Sequence, residues 1–376
     1  MAVAMTAPTR LSVRTSTVAV AAVICLSAVE ASPQESGSRT ELAGPECEAC
    51  EIVAVPVVTF GDAEGPGMLE VDYHVVQVDR QGRYFVTGGL SPYFWVFDSS
   101  GNVSGRMGRS GEGPGEFSVV MGVTIDEADS VFVLDPMRAR VSVYTPDQEF
   151  ARTFSLSFRP DGPQLFLGEW LLVNTPFRAG DLVGRPFHVL DKSGRMTRSF
   201  GSVGDGNAPT DDRYLRDGRV LARSDPASFW AARSNQYLIE RWTLDGRLLE
   251  TLHREPPWFQ VWWESPSDAD TPPVPRITAI EQVGDTLWVL TTVPGEMWRS
   301  GVEPDGRFRR ITDSDAYFDS LVEAIDLNRG VVIASQRMPL RFTDLLEGGL
   351  AVRNETDEVG NPVVSVHKLE IRGSPG

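Results

Sequence analysis

The segment from Gly108 to Tyr144 constrains the fold of this chain more than any other segment. It reads GRSGEGPGEFSVVMGVTIDEADSVFVLDPMRARVSVY, a glycine-rich loop followed by three short apolar runs with Asp-bearing turns between them. Consecutive short strands at this spacing are typical of one blade of a β-propeller. A weaker copy of the loop, GDAEGPGML, spans Gly61 to Leu69. The repeat predicts an array of similar sheets and says little about chemistry.

A second recurring signal is an acidic residue shortly before a glycine. FDSSG, LDKSG, TLDG and EPDG end at Gly101, Gly194, Gly246 and Gly306. Glycine supplies the positive φ that tight turns between neighbouring strands need. The intervals predict blades of roughly 45–60 residues, of which about six fit into the chain. The chain also has 35 Gly and 26 Pro, which favours many turns over long helices. We therefore predict an all-β, six-bladed β-propeller with four-stranded blades.

Apolar runs assign the strands of each blade. The predicted strands are 74–79, 84–86 and 94–98 in blade one; 123–126, 131–134 and 141–144 in blade two; 164–168, 170–174 and 187–191 in blade three; 219–222 and 237–242 in blade four; 277–283, 287–290 and a third near 298–303 in blade five; and 321–327, 331–334, 349–353 and 363–371 in blade six. The run Ile52 to Phe60 has no blade before it. Pairing it with the last blade would close the ring and hide the sheet edges. A loose edge strand is the alternative.

The N-terminus has the pattern of an export signal. Arg10 and Arg14 precede an apolar run from Val18 to Val29, and Val29-Glu30-Ala31 offers a cleavage site before Ser32. The run is short for a bilayer span, so we predict an exported protein, periplasmic or secreted, without stable membrane insertion. A retained anchor or lipidation is the alternative. The predicted division is a signal over 1–31, a disordered leader over 32–50 and the propeller over 51–376.

Charge and cysteine content narrow the possible partners. The formal net charge is −17, and because nucleic-acid affinity rests on neutralising phosphates, nucleic acid is excluded as a partner. Cys47 and Cys50 are separated by two residues in a chain predicted to be exported, where such a pair is most often a small disulfide. A redox-active pair and a metal site are the alternatives.

Three stretches of the second blade resemble a known repeat: Gly111–Phe117, Gly122–Asp126 and Val131–Asp135, with Arg140–Tyr144 after them. They resemble the NHL repeat, and more broadly the exported bacterial six-bladed β-propeller proteins. The match is good over 108–150, fair over 57–107 and only architectural beyond 160. The resemblance implies that the glycines, Asp135 and Arg140 serve blade geometry, and that some relatives are lyases or lactonases with a metal in the central channel.

The sequence offers little for catalysis. Of the four histidines, only His74 opens an innermost strand and could face the channel, and one histidine cannot make a multi-histidine metal site. An all-oxygen calcium site needs no histidine and remains open. No GxSxG, HExxH or P-loop motif occurs. We therefore assign no catalytic residue and no definite cofactor, with calcium as the open possibility.

Arginine and aromatic residues concentrate in predicted loops on one face. The second-to-third-strand loops and the blade connections open on the same side, and they carry the candidate binding residues Arg138, Arg140, Arg178, Trp230, Arg233, Trp298, Arg299 and Arg337. Arginine beside aromatic rings suits anionic or planar ligands. Alternatively, these arginines pair with neighbouring acids.

A tryptophan-rich connection between blades four and five adds Trp258, Trp262 and Trp263. Exposed rings would stack on sugars or mark an interface. Alternatively, the long loop buries its own rings. From these features we predict a monomeric binding scaffold for a small molecule, glycan or protein partner. The alternatives are a calcium-type hydrolase or lyase acting in the central channel and an interaction module of a cell-envelope assembly.

Overall fold

The computed structural model describes residues 37–62, 64–160, 164–177, 180–202, 218–305 and 308–373, and the predicted signal over 1–31 lies outside them. The described chain forms six small antiparallel sheets arranged as a six-bladed β-propeller, as the repeat predicted. Four blades are continuous in sequence. They are blade 1 (His74–Val78, Tyr84–Gly88, Phe94–Phe97, Val103–Met107), blade 2 (Gly122–Ile125, Val131–Asp135, Arg140–Tyr144, Phe150–Ser155), blade 3 (Gln164–Leu167, Trp170–Asn174, Phe187–Leu190, Met196–Phe200) and blade 4 (Arg219–Asp225, Ser228–Arg233, Leu238–Thr243, Leu248–His253).

The last two blades depart from this simple order. Blade 5 contains Arg276–Val283, Thr286–Pro294, Phe318–Asp326 and Val331–Met338, and blade 6 contains Asp344–Leu346, Leu350–Thr356, Pro362–Arg372 and the N-terminal strand Glu51–Phe60. The N-terminal strand pairs antiparallel with Pro362–Arg372 and is the outermost strand of blade 6. The predicted ring closure is therefore confirmed. It joins the two ends of the chain, so that no blade lacks a neighbour.

Hydrophobic packing lies between the blades, in six clusters that follow one another round the ring. Blade 2 shows how a strand contributes to two of them. Val131 and Val133 pack toward blade 1, whereas Phe132 and Leu134 pack toward blade 3. Side chains alternate between the two faces of a sheet, and both faces are covered here. The strands therefore read as continuous apolar runs and not as an alternating pattern.

The acid-containing turns fix the connections between the third and fourth strands of the blades. In the third-to-fourth turn of blade 1, Asp98 Oδ1 accepts hydrogen bonds from the backbone N–H groups of Ser100 and Asn102, both at 2.9 Å. Gly101 has φ +87° and an added Cβ would meet the Thr59 carbonyl oxygen at 2.6 Å. Blade 3 repeats this arrangement at Asp191. The recurrence of an acid before glycine thus follows from turn geometry.

The predicted strands of blades 4 to 6 were partly wrong. Residues 298–303 are not the third strand of blade 5, because residues 295–317 form an insertion between its second and third strands. The insertion contains the 3₁₀ turn Trp298–Gly301, the hairpin Val302–Asp305 with Phe308–Ile311, and the helical turn Ser314–Tyr317. The first three residues of EPDG, Glu303 to Asp305, therefore lie in the first strand of this hairpin. The strands predicted at 321–327 and 331–334 belong to blade 5 and not to blade 6. The second strand of blade 4, Ser228–Arg233, was not predicted.

The segment preceding the propeller is ordered where the structure describes it. The prediction of a disordered leader is wrong for residues 38–41, which pair in parallel with Leu248–His253 as a fifth strand on blade 4. The open edge of that outermost strand provides backbone hydrogen bonds that composition could not reveal. Leu42 is buried in the packing between blades 4 and 5, and Cys47 forms a disulfide with Cys50. Among the described residues, no helix is long and apolar enough to cross a membrane.

We predict that charge placed inside the ring closure destabilises the protein strongly. Val58 is 9% exposed and packs in the cluster between blades 6 and 1, whereas the adjacent Val57 is 49% exposed. Val58→Asp buries an unpaired carboxylate and is expected to cost about 3 kcal/mol or more of unfolding free energy. Val57→Asp, the matched control, should change it by less than about 0.5 kcal/mol. Urea denaturation of both variants measures the difference, and equal midpoints would contradict the closure role of Val58.

Candidate functional site

Two long connections dominate one face of the propeller. We call it the upper face, the side that carries the blade-to-blade connections and the second-to-third-strand loops. Residues 254–275 connect blades 4 and 5, and residues 295–317 form the insertion in blade 5. The two segments contact each other, since the Arg309 guanidinium donates to the backbone carbonyls of Pro266 and Thr271. Ala269 packs against the cluster of Trp298, Val302 and Tyr317.

Between these connections lies a cavity of about 330 Å³, which we call the arginine pocket. Its walls are Ser265, Pro266, Pro273, Val274, Arg276, Thr278, Thr292, Arg309, Ile311, Tyr317, Phe318 and Arg341. Only Arg276, Thr278, Thr292 and Phe318 come from blade 5 strands; the other residues belong to connections or to the insertion. A rigid ring carrying variable loops is how many binding sites are built.

The three arginines of the pocket make no ion pair among the described residues. Arg276 donates to Ser265 Oγ at 3.3 Å, and its guanidinium lies 4.7 Å from the centre of the Trp262 ring. Arg309 donates to the Tyr317 hydroxyl as well as to the two carbonyls. Arg341 donates to Ser314 Oγ at 2.6 Å, and its guanidinium lies 4.9 Å from the Phe318 ring centre. All of these partners are neutral groups.

Desolvation by the pocket walls acts on two of these charges. It lowers the pKa of Arg276, whose side chain stays open to solvent at the pocket, and it lowers the pKa of the half-buried Arg341 against the opposing effects of Tyr73 and Asp315. The Nε atom of Arg341 is buried without a hydrogen-bond partner. Asp315 forms no ion pair with the Arg341 guanidinium, because its Oδ2 is 2.6 Å from Arg353 and its Oδ1 accepts a hydrogen bond from the Arg341 backbone N–H at 3.4 Å. The pocket therefore retains donor capacity and positive charge.

The central channel is the larger cavity, at about 640 Å³. It is lined by the innermost strands of all six blades and by the first-to-second-strand turns below them. Its charged residues are mainly acidic on the side of blades 5 and 6, where Glu281, Asp344 and Glu347 lie. The Arg223 guanidinium is 3.9 Å from Glu347. Thr278 lines both the channel and the arginine pocket, so the two cavities adjoin at blade 5.

Two channel carboxyls hold their protons unusually strongly. Burial raises the pKa of Glu281 to about 8, with further contributions from Glu347 and Asp344, and Arg223 opposes it. Burial also raises the pKa of Asp344 to about 7, although Asp344 Oδ1 accepts a hydrogen bond from the Leu345 N–H at 2.8 Å. These carboxyls can exchange protons near neutral pH.

The channel does not match a calcium site in the part of the chain that is described. No group of three or more His, Cys, Asp or Glu side chains lies close enough there to hold a metal ion. The Arg223 cation beside Glu347 further disfavours a bound cation. We therefore derive no metal-dependent chemistry, and the calcium-type hydrolase or lyase remains a prediction from resemblance.

His74 does not face the channel, contrary to the sequence prediction. It is 5% exposed, and its Cδ2 and Nε2 lie beside Gly88 of the next strand. The channel is lined instead by its neighbours Tyr73, Val75 and Gln77. Burial lowers the pKa of His74 to about 4, so the ring is neutral near pH 7.

Several arginines predicted to bind are instead paired with acids. Arg138 lies 3.1 Å from Glu112 and 3.6 Å from Asp135, and Arg140 lies 3.8 Å from Asp135. Arg140 also donates to the carbonyls of Glu112 and Glu116, while Asp135 Oδ2 accepts from the Ser118 N–H at 2.9 Å. These contacts fasten the GPGEF loop to blade 2. The structural interpretation of Asp135 and Arg140 fits this geometry.

Three further predicted residues are not in loops. Trp230 is fully buried within the second strand of blade 4, where its Nε1 donates to Gln282 Oε1 at 2.7 Å. Arg233 ends the same strand, is 5% exposed and lies 3.7 Å from Glu240. Arg337 lies in the fourth strand of blade 5, 2.6 Å from Asp319. Their predicted loop positions followed from the undetected strand of blade 4 and the displaced strands of blade 5.

The remaining candidates that the structure describes do not line the arginine pocket. Trp298 is buried against Tyr317, and Arg299 lies over the Trp298 ring at 4.4 Å. Trp258 is half-buried against the packing between blades 4 and 5, so this part of the loop covers its own ring. Trp262 Nε1 donates to the Pro275 carbonyl at 2.6 Å, and Trp263 is also half-buried. Arg178 lies outside the described residues.

The residues that sequence reasoning missed are those that assemble only in three dimensions. Arg276, Arg309 and Arg341 come from a strand, a hairpin and a blade connection, separated by 33 and 32 positions in the chain. No local pattern unites them. Glu281 and Asp344 left a usable signal, because each places an acid beside apolar residues in an innermost strand, in the segments TAIEQV and TDLL.

We predict that the channel carboxyls make stability decrease as pH rises. They ionise near pH 4 when unfolded but only at about pH 8 and 7 when folded. The folded state therefore binds more protons over that range, and its stability falls between about pH 4 and 8. Glu281→Gln should be more stable than the parent by about 1–2 kcal/mol at pH 8.5, after allowance for channel water, and equal to it at pH 4.5.

The measurement is urea unfolding across that pH range, with Glu169→Gln as control. Glu169 is an exposed acid of a blade 3 turn, 2.9 Å from Lys192. Its replacement should leave the slope with pH unchanged. A Glu281→Gln protein with the parental pH slope would contradict the raised pKa of Glu281.

Comparison with known proteins supports the architecture. Residues 71–199 match the DUF5128 family profile, which is described as a 6-bladed beta-propeller. A member of the DUF4221 family from Bacteroides vulgatus ATCC 8482 has a similar structure, with TM-score 0.58, 10% identity, and coverage of 87% of this chain and 99% of that one. A "Putative exported protein" from Bacteroides fragilis NCTC 9343 gives TM-score 0.54, 12% identity, and coverage of 90% and 99%. No curated protein matches this chain. At these identities the likeness concerns the fold, and the chain is a six-bladed β-propeller.

Proposed function

We propose that this protein is an exported binding scaffold that holds a small ligand on its upper face, in the arginine pocket. The observation that carries the proposal is the meeting of the two long connections, 254–275 and 295–317, over a cavity of about 330 Å³. That volume lies within the range of small-molecule sites, about 300–1,000 Å³. Apolar and aromatic walls with a few polar groups are typical of such sites.

The scaffold suits this role because the packed blades are rigid, whereas the connections between strands differ from blade to blade. Each blade is packed on both faces by its neighbours, so the ends of the strands are held firmly. The insertion and the long connection leave the ring at neighbouring positions and meet above blade 5. A ligand bound there would meet a site already formed, which reduces the entropy lost on binding.

Export is supported by the N-terminal pattern and by the cysteines. The pattern over residues 1–31 is that of a signal peptide. The Cys47–Cys50 disulfide suits an oxidising compartment, where such bonds persist.

A protein partner is a second candidate, favoured by exposed apolar side chains on the insertion. Met297 and Phe308 are 67% and 68% exposed, and Ile311 is 44% exposed at the rim of the arginine pocket. Exposed apolar groups close together mark interaction surfaces more often than isolated ones do. A partner bound there would cover the pocket, whereas a small ligand would enter it.

We predict that filling the arginine pocket abolishes ligand binding. The experiment is a thermal-shift screen of a broad metabolite library against the parent and three tryptophan variants. Ile311→Trp obstructs the pocket, Val75→Trp narrows the channel, and Asn328→Trp adds the same bulk to an exposed turn away from both cavities. Compounds that raise the melting temperature of the parent should do so in the Asn328 and Val75 variants and fail with Ile311→Trp.

Two outcomes would contradict the proposal. Compounds that still stabilise Ile311→Trp but not Val75→Trp would place binding in the channel. A library without any stabilising compound, together with a protein partner recovered by the parent and lost on Phe308→Ser, would favour the interaction candidate.

A further inference from the structure

The arginine pocket combines three features that together define a ligand class. It presents three cationic side chains, Arg276, Arg309 and Arg341, which have no carboxylate partner among the described residues. It does so in a chain of net charge −17, in which most other arginines on this face are paired. Apolar surface from Val274, Ile311 and Phe318 lies beside the cations.

Pairing elsewhere in the protein shows why this arrangement is unusual. Other buried arginines have acidic partners: Arg219 and Arg233 lie beside Glu240, and Arg254 lies beside Glu323. An arginine charge in a partly desolvated position is costly without a counter-charge. With 52 acidic residues in the chain, acids were available for pairing. The pocket arginines instead donate to neutral oxygens and lie against aromatic rings.

The geometry also leaves specific donors unused. Arg341 Nε is buried and has no partner, and its guanidinium is positioned by Ser314 and by the Phe318 ring. Arg309 is held by two backbone carbonyls and by the Tyr317 hydroxyl, which fixes it in the wall of the cavity. Guanidinium groups fixed in this way are prepared for a planar or tetrahedral oxyanion.

From these observations we infer that the arginine pocket binds a small organic oxyanion, a carboxylate or a phosphate monoester attached to a compact apolar body. The inference rests on the proposed function and names the ligand class of its site. The oxyanion supplies the counter-charge that the chain does not, and the apolar body fills the space along Val274, Ile311 and Phe318. A cavity of about 330 Å³ accommodates a single-ring compound and excludes long chains or polymers.

The test uses four probes on the full-length protein: benzoate, phenyl phosphate, inorganic phosphate and the neutral analogue benzamide. Isothermal titration calorimetry at low and high salt measures their dissociation constants. We expect benzoate or phenyl phosphate to bind at least about tenfold more tightly than benzamide, since a charge-assisted hydrogen bond is lost in the amide. The preferred head group, carboxylate or phosphate, follows from which of the two anions binds tighter. Inorganic phosphate should bind more weakly than phenyl phosphate, because it lacks the apolar body.

Arginine-to-glutamine variants show which charges bind the anion. Arg341→Gln and Arg276→Gln should each weaken the bound anion about tenfold or more. Arg310→Gln is the matched control, because Arg310 follows Arg309 in the same hairpin, is exposed and pairs with Glu303 at 2.7 Å outside the pocket. It should leave anion affinity within about twofold.

Stability of the ligand-free variants separates a binding role from a structural one. A charge without a counter-charge contributes little to folding, so Arg276→Gln should unfold at the parental temperature or above it. An arginine that serves structure would instead lower that temperature. Arg276 suits this comparison because it is exposed at the pocket, whereas Arg341 also supports Ser314.

The outcomes distinguish this inference from the proposed function. If benzamide binds as tightly as the anions, and the arginine variants retain that affinity, the pocket binds ligands but the oxyanion inference fails. If none of the three anions binds at millimolar concentration, the inference fails as well, and the library screen with Ile311→Trp decides the proposed function. Equal loss of affinity in Arg310→Gln would attribute binding to general charge and would also overturn it.

Discussion

The packing of each blade against two neighbours is the interaction on which the rest of this structure depends. A four-stranded sheet with both faces apolar is not stable in water by itself, and here every face is covered by the next blade round the ring. The arrangement works only if the last blade meets the first. The N-terminal strand Glu51–Phe60 meets that condition, because Ile52 packs between blades 5 and 6 while Val58 and Phe60 pack between blades 6 and 1.

Closure of the ring also explains where variation is tolerated. Strand residues such as Val131 and Phe132 serve two different interfaces, so a change at either position alters packing. The turns that carry Asp98 and Asp191 are equally constrained, since each carboxylate binds several backbone N–H groups. Most residues of the upper-face connections neither pack between two blades nor form these carboxylate-bound turns. Blade 5 therefore accommodates the 295–317 insertion without loss of its four-stranded pairing.

Electrostatics divide the molecule into two unlike cavities. In the channel, acids lie close to one another, and burial raises the pKa of Glu281 and of Asp344, so that protons reduce the repulsion near neutral pH. In the adjoining arginine pocket, the uncompensated charge is positive, and arginine cannot shed its proton in the same way. A protonated carboxyl can remain without a partner, whereas a guanidinium in a partly dry pocket is best stabilised by an anion.

The fold was largely predictable because short sequence patterns that specify turns and strands recur along the chain. The glycine loops, the acid-before-glycine turns and the short apolar runs identified a six-bladed ring, and the isolated run Ile52–Phe60 indicated its closure. Prediction became inaccurate where repetition stopped, as in the insertion of blade 5, and where a free strand edge recruited Ser38–Glu41.

The candidate site, in contrast to the fold, was largely not predictable from the sequence. Sequence alone pointed to arginine and aromatic residues on one face, yet Arg138, Arg140, Arg233 and Arg337 are paired with acids, and Trp230 lies in the core. Which arginine finds a carboxylate depends on distances between residues far apart in the chain, and only the tertiary structure sets them. The ring could be predicted from the sequence because its turns and apolar runs act locally. Only the tertiary fold sets which charges remain unpaired, because Arg276 of a blade 5 strand, Arg309 of the insertion and Arg341 of the next blade connection are far apart in sequence and line one cavity.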